Sequence, residues 1–534
     1  MADRTLQQEI LRRKTFAIIS HPDAGKTTMT EKLLLYGGEL REAGSVKARK
    51  AGKHAVSDWM DIEKQRGISV TSSVLQFEYD GNFINILDTP GHKDFSEDTY
   101  RTLVAADSVV MLIDGAKGVE AQTIKLFHVC KMRGIPIFTF VNKMDRAAKN
   151  PFELMEEIEN VLGIRSCPMN WPIGTDGDFK GVYDRKENKI LMFNGGNHGT
   201  TEVESVVGEL DDPVFADLLG DHYHDRLKEE IELLDMAGDP FDFELVQKGE
   251  LTPMYFGSAM TNFGVEPFLQ SFLEMAPAPS PRLSNIGEIE PTTEEFTGFV
   301  FKIQANMNKA HRDRLAFVRI CSGKFTKGME VNHIREGKKI RLAQPTQMMA
   351  QERTIVDEAY AGDIVGLFDP GIFKLGDTLT EKRNNIKYQG IPVFPAEHFA
   401  KISPRDSMKR KQFQKGIVQL AEEGTIQVFK QVDYSSETVI VGAVGVLQFE
   451  VLEHRLSSEY GVEIRMQMMP HKIARWIVNE GVDMDALQLT SSTIKATDRE
   501  DRPVLITENE WAMNWALDKN KGLELRDIHD ETNS

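Results

Sequence analysis

Cysteine is scarce in this chain: Cys130, Cys167 and Cys321 are the full set in 534 residues. Their number is odd and their spacing fits neither a disulfide framework nor a zinc site, the usage of a reducing compartment. Long apolar runs are missing as well. No stretch of about eighteen or more apolar residues occurs, so no membrane-spanning helix is expected. The charged segment Met1 to Lys14 lacks the apolar centre of a secretory signal. Excess positive charge is absent too. The formal net charge is −18, which argues against general affinity for nucleic acid. A cytoplasmic protein is expected, with no membrane association and no sequence-specific DNA binding.

What the chain has is size. Its hydrophobic share of 41% and charged share of 27% are ordinary for soluble globular proteins. Its length exceeds what one core fills, so about three domains are expected. Local basic clusters stand against the overall charge: Lys47 to Lys53, the turn His311-Arg312-Asp313-Arg314, and Lys409-Arg410-Lys411. Each reads either as a solvated face or as a contact for a polyanion.

The most informative stretch lies near the N-terminus. Thr15-Phe16-Ala17-Ile18-Ile19 reads as a buried strand. Met29, Leu33 and Tyr36 fall on one face of a helix that stops at Gly37-Gly38. Between them lie Ser20, His21, Pro22, Asp23, Ala24, Gly25, Lys26, Thr27 and Thr28. A strand turning tightly into a helix aims backbone N–H groups and the positive end of the helix dipole at one spot, which suits polyphosphate. Gly25 permits close backbone approach, Lys26 can reach β- and γ-phosphates, and the Thr27 hydroxyl can bind Mg²⁺. Ser20 stands where such loops usually carry their first glycine, and a small residue can still make that turn.

After the first helix, Gly38 to Val70 is long, polar and basic, a functional or mobile loop by its length. Val74 to Tyr79 and Phe83 to Leu87 form a hairpin signal around Asp80-Gly81. The second strand runs into Asp88, Thr89, Pro90, Gly91 and His92. An acidic residue such as Asp88 at a strand end beside a phosphate loop can hold Mg²⁺ through water. Gly91 can offer an unhindered N–H to a γ-phosphate. Strands Ser108 to Ile113 and Pro136 to Val141 follow, with a helix over Glu120 to Met132 between them. The second leads into Asn142, Lys143, Met144 and Asp145, and a later strand into Ser258 and Ala259. This alternation predicts a mostly parallel sheet that binds ligand at its strand C-termini. Asp145 can accept the two N–H bonds that guanine, and not adenine, presents. Asn142 can tie this loop to the phosphate loop, the Lys143 stem can lie over the base, and the Ser258-Ala259 backbone can meet guanine O6.

These motifs, in this order, resemble those of the translational GTPases over Arg13 to about Met275. The resemblance implies GTP as substrate, GDP as product and Mg²⁺ as cofactor. It implies that Ser69, at the position of the family's switch threonine, binds Mg²⁺ with Thr27 and Asp88. It also implies that His92 orients the attacking water. The mixed stretch from about 170 to 250 looks like the inserted subdomain of elongation factor G and its relatives.

Ala276 to Arg282 reads as a stiff proline-rich linker. Short strands such as Phe296 to Ile303, Leu315 to Cys321 and Ile364 to Leu367 predict a small β-barrel. The polar segment Lys302 to Met307, with the His311 to Arg314 turn, reads as an RNA-facing rim or an ordinary hairpin. Beyond it come strand Phe399 to Ser403, helix Met408 to Glu422, strands Thr425 to Phe429 and Thr438 to Val441, helix Val446 to Tyr460, and strand Val462 to Met466. That βαββαβ order is ferredoxin-like, and nothing in it is patterned for catalysis. The expected fold is therefore multidomain α/β. A P-loop GTPase domain spans 1–280 with an insert at about 170–250, a β-barrel spans 290–385, and a ferredoxin-like α+β domain spans 392–534. The fold of the tail 467–534 stays open.

Within the translational GTPases, the phrases Ser20 to Thr28, Glu63 to Val70, Phe95 to Leu103, Phe301 to Met307 and Val441 to Phe449 are similar to those of the bacterial class II peptide chain release factors, the release factor three family. That resemblance implies a monomeric, GTP-hydrolysing termination factor that binds the ribosome. It would promote departure of class I peptide chain release factors after peptide release without reading stop codons, and the ribosome would stimulate its turnover. Another ribosome-associated GTPase, of translocation or assembly type, shares every nucleotide motif.

Overall fold

The computed structural model describes residues 4–37, 63, 69–174, 178–192, 205–207, 210–305, 314–342, 345–349, 352–383, 385–391, 393–431, 438–479 and 481–527. The basic cluster Lys47 to Lys53, most of the loop 38–68, Asn306-Met307 and His311-Arg312-Asp313 lie outside the described residues.

The first domain is built on β1 (Arg13–Ser20), β2 (Ser73–Tyr79), β3 (Asn82–Asp88), β4 (Ser108–Asp114), β5 (Ile137–Asn142) and β6 (Arg165–Pro168). An insert then supplies β7 (Asn170–Ile173), β8 (Gly181–Asp184), β9 (Lys189–Met192) and β10 (Ser205–Val207), and β11 (Leu251–Phe256) returns to the main sheet. The seven-stranded order is β2-β3-β1-β4-β5-β11-β6, parallel except for the β2–β3 hairpin. The hairpin turn has positive φ at both Asp80 and Gly81, the twist that matches its flanking strands.

A sheet covered on both faces needs strands that are apolar on both. In β4, Val109, Met111 and Ile113 join Leu103, Leu126, Phe127 and Leu154 in one core. Val110 and Leu112 join Met29, Leu33, Phe268 and Phe272 in the other. Helices Lys26–Tyr36 and Val265–Met275 thus cover one face, and Ser96–Ala105, Ala121–Met132 and Pro151–Leu162 the opposite one. The insert is an antiparallel sheet in the order β10-β9-β8-β7. The Asn170 side chain ties it back by exchanging hydrogen bonds with the Phe256 backbone at 2.7 and 3.0 Å.

The second domain is an antiparallel barrel centred on Thr297–Ala305 and Arg314–Ser322, every residue of which is buried. Full burial of strands containing Lys302, Arg314 and Arg319 departs from in–out alternation, because neighbouring domains cover their outer face. Arg319 reaches Asp107 at the base of β4, at 2.5 Å. Arg282 meets the same carboxylate at 2.9 Å. Arg13 of β1 pairs with Asp363 at 3.0 Å.

The third domain has strand order Ile464–Met469, His398–Pro404, Val439–Ala443, Gln427–Gln431, with helices Arg410–Glu422 and Leu447–Tyr460. Phe413, Ile417 and Leu420 of one helix and Phe449, Leu452 and Leu456 of the other share its core. The tail continues the same sheet. Gln427–Gln431 pairs with Ile494–Thr497, followed by Pro503–Thr507, Ile473–Ile477 and Leu525–Arg526. The tail's strands are short and its helix Glu510–Lys519 exposes Trp511, so no local periodicity announces them.

Asp107 is 1% exposed at its side chain and faces two guanidinium groups. Removing one partner of a buried pair leaves unpaired charge, at a cost of about 3–5 kcal/mol. Asp107→Ala should therefore lower the urea midpoint of the first unfolding transition. An unchanged midpoint would show that this pairing does not hold the barrel to the first domain.

Candidate nucleotide-binding site

The phosphate-loop residues sit where β1 gives way to helix Lys26–Tyr36. Ser20 ends β1 and is buried. Asp23 and Gly25 both take positive φ, 68° and 99°. A Cβ on Gly25 would lie 2.3 Å from the Asn142 amide nitrogen, so glycine is demanded by space as well as by backbone angle. Gly25 is the helix N-cap and offers no side-chain cap, leaving first-turn N–H groups for an anion. Thr27 and Thr28 are half-buried in that turn. His21 Nε2 lies 3.2 Å from Glu120, and Pro22 lies beside Gly91.

Lys26 and Asp88 are buried and ion-paired to each other. Asp88 is the last residue of β3. Beyond it Thr89 donates to the Ile18 carbonyl at 2.7 Å, and the Pro90 carbonyl accepts from Thr99 at 3.1 Å. A Cβ at Gly91 would meet its nearest protein atom at 3.4 Å, ordinary contact, so the protein's own packing does not require glycine there. His92 caps the short 3₁₀ turn Lys93–Phe95, its Nδ1 accepting the Asp94 N–H at 3.2 Å. A neutral ring bonded in this way carries its proton on Nε2.

One side chain gathers three loops. Asn142 donates to the Ala24 carbonyl at 2.8 Å and accepts from Lys143 N–H at 2.9 Å and Ala259 N–H at 2.8 Å. Lys143, at φ 70°, reaches the Asp23 carbonyl at 2.5 Å and Asp114 at 2.7 Å. Asp145 has one carboxylate oxygen, Oδ1, buried with no hydrogen-bond partner among the described residues. A buried acceptor left open costs free energy unless a ligand donor fills it.

Some residues sit differently from the motif reading. Met144 turns inward and is fully buried, and its N–H donates to the Gly257 carbonyl, so its contribution is to seat the loop. The Ser258 N–H is taken by Phe263 and the Ala259 N–H by Asn142. A base oxygen would have to share the latter. Val70 and Thr71, just after Ser69, donate their N–H groups to Glu63 at 2.9 and 3.1 Å.

Motif reading missed Asp114. Burial opposes its charge, but the Lys143 ammonium and the Ala116 and Lys117 N–H groups hold its carboxyl below the usual value. The signal was present, since Asp114 ends β4 as Asp88 ends β3. No group of three or more His, Cys, Asp or Glu residues converges on a possible metal among the described residues. Thr27, Ser69 and Asp88 carry oxygen donors, the hard class that suits Mg²⁺.

Three family models match the chain in series. Residues 11–278 match the elongation factor Tu GTP binding domain, 295–382 match elongation factor G domain 2, and 388–517 match the Class II release factor RF3, C-terminal domain. The chain is 59% identical to peptide chain release factor 3 of Symbiobacterium thermophilum over 522 residues, covering 98% of each. It is 55% identical to that of Listeria monocytogenes, covering 98% of this chain and 99% of the other. For Cyanothece sp. the identity is 52%, with 98% and 96% covered. A crystal structure from Thermus thermophilus shares the fold at TM-score 0.68 and 20% identity, covering 91% of this chain and 72% of that one.

The three hydrogen bonds of Asn142 make it the test of the loop arrangement. Asn142→Ala would leave the Ala24 carbonyl and two N–H groups without their partner, each worth about 1–3 kcal/mol. Titration with a fluorescent guanine nucleotide should show affinity reduced by roughly 10²-fold or more. Wild-type affinity would mean that the loops hold their places without it.

Proposed function

The chain belongs to the peptide chain release factor 3 family, and from that membership we propose that it acts on the terminating ribosome as a GTP-driven switch that promotes departure of class I release factors. It is a translational GTPase and termination factor. Its third domain, matching the family's C-terminal domain, supplies no catalytic group and serves binding and relay.

One observation carries the guanine reading: the unpartnered, buried Oδ1 of Asp145. The carboxylate accepts guanine N1–H and N2–H, and adenine has no such pair. Lys143, steadied by Asp23 and Asp114, lays its stem along the base. Ser20 to Thr28 wrap the phosphates, and Ser258 and Ala259 close the base side.

Lys26 and Asp88 neutralise each other until phosphate arrives, since neither can stay buried alone. Lys26 would then turn to the β- and γ-phosphates, and Thr27, Ser69 and Asp88 would hold Mg²⁺. When bound, the metal would neutralise phosphate charge. The Gly91 N–H faces the γ-phosphate. His92, with Nδ1 engaged by Asp94, presents Nε2–H to orient a water molecule and cannot act as a base from that tautomer. Ser69, Val70 and the segment Asp88 to Glu97 are ordered by the γ-phosphate and relax on its loss. A ribosomal surface positions His92, and about 10³–10⁵-fold of the rate is left to that partner, as for other GTPases activated in trans.

Three measurements test this reading. His92→Ala should abolish ribosome-stimulated GTP turnover and leave GTP binding intact, and equal stimulation of variant and wild type removes the role given to His92. Asp145→Asn puts an amide donor where two donors must be met, so GTP affinity should fall by roughly 10²-fold or more. Unchanged GTP affinity would overturn the guanine assignment. The release-factor role itself is read from class I factor turnover on a stop-codon complex, which should quicken when the protein is added with GTP.

A further inference from the structure

Helix Leu447–Tyr460 of the third domain begins without a cap of its own: its N-cap residue, Val446, makes no side-chain hydrogen bond. Helix starts leave unpaired N–H groups that favour a carboxylate. Here the carboxylate comes from another domain. Asp94 Oδ2 accepts the Leu447 N–H at 2.8 Å, across 353 positions of sequence. The approach is so close that a Cβ on Gly445 would lie 2.4 Å from the Asp94 Cβ. Beside it, Val70 and Phe95 of the first domain bury themselves against Val451, with Leu447 packed alongside.

The same residue holds the candidate catalytic histidine. The Asp94 N–H donates to His92 Nδ1, and its carboxylate lies 3.6 Å from that nitrogen. The two ends of Asp94 therefore face different partners: its backbone N–H meets the His92 ring, and its side chain meets the third domain.

We propose that Asp94 is a positioning residue that couples docking of the third domain to the orientation of His92. The docked helix start pins the Asp94 carboxylate, the pinned residue keeps its N–H on His92 Nδ1, and the ring is thereby held with Nε2–H outward. Undocking removes the pin on Asp94 together with the packing of Val451 against Val70 and Phe95. This inference rests on the role proposed for His92 and adds to it the internal contact through which domain movement reaches the ring.

The test compares Asp94→Ala, Asp94→Asn, Gly445→Ala, the double variant Asp94→Ala/Gly445→Ala, and His92→Ala, in single-turnover GTP hydrolysis on saturating ribosomes. Gly445→Ala pushes the third domain off Asp94 from the far side. Asp94→Ala and Gly445→Ala should each slow stimulated hydrolysis about ten- to a hundredfold, the scale of a misplaced catalytic group, with GTP affinity held within about twofold. The double variant should be no slower than either single one, because both break one coupling. Asp94→Asn should keep most of the rate, since Asn caps a helix about as well as Asp.

A wild-type rate in Gly445→Ala beside a slow Asp94→Ala would overturn the proposal, as would additive losses in the double variant. Asp94→Asn as slow as Asp94→Ala would overturn it too, by assigning the effect to charge on His92. If Gly445→Ala does not fold, Val451→Ala takes its place, because it removes the side chain that packs the third domain on Val70 and Phe95 and leaves Asp94 and Gly445 intact. Full stimulation of His92→Ala would instead sink the His92 role itself, an outcome separable from failure of the coupling.

Discussion

A charge taken out of water must keep a partner, and the three domains of this chain meet where that rule is enforced. Lys302 of the barrel donates to the Ser72 carbonyl and lies 3.6 Å from Asp98. Arg101, paired with Glu97 on its own helix, donates to the carbonyls of Glu423 and Gly424 in the third domain. Burial pushes the Glu423 carboxyl up, answered by Arg455 and by the Ala305 N–H of the barrel. Each group would be costly alone, and each takes at least one hydrogen-bond partner from a different domain. Relative placement of the domains follows from that mutual dependence.

The junction lies against the nucleotide machinery. Arg101 and Asp98 belong to the helix that follows the His92-capped 3₁₀ turn, and Ser72, which donates to Asp98 at 2.5 Å, lies three residues beyond Ser69. A small cavity is lined there by Thr71, Arg101 and Gln304. Movement in either segment must therefore strain pairings that cross all three domains. A packed, charge-paired junction yields between discrete arrangements and not by gradual bending, which suits a switch.

Much of this was legible one element at a time. The unbroken apolar run Val109 to Ile113 and the largely apolar run Thr15 to Ile19 announce buried parallel strands. Phe413, Ile417 and Leu420 announce a one-faced helix. Both signals depend on neighbours a few residues away. The letters around Gly25, Asp88 and Asn142 were legible for a similar reason, because phosphate and base chemistry demand particular groups at short spacing. The tail was not. Ile494–Thr497 acquires its meaning only by pairing with Gln427–Gln431, and a four-residue strand carries no periodicity to read.

As far as about residue 466, the sequence by itself determined the elements and their order, and it determined the chemical class of ligand, because helix and strand patterns and phosphate loops are encoded locally. Tertiary structure decided which side chains answer one another. It turned Met144 inward and spent the Ala259 N–H on Asn142. It also set the Asp94 carboxylate on a helix start 353 positions away. Such partnerships depend on desolvation and close approach between distant segments, and no spacing along the chain records them.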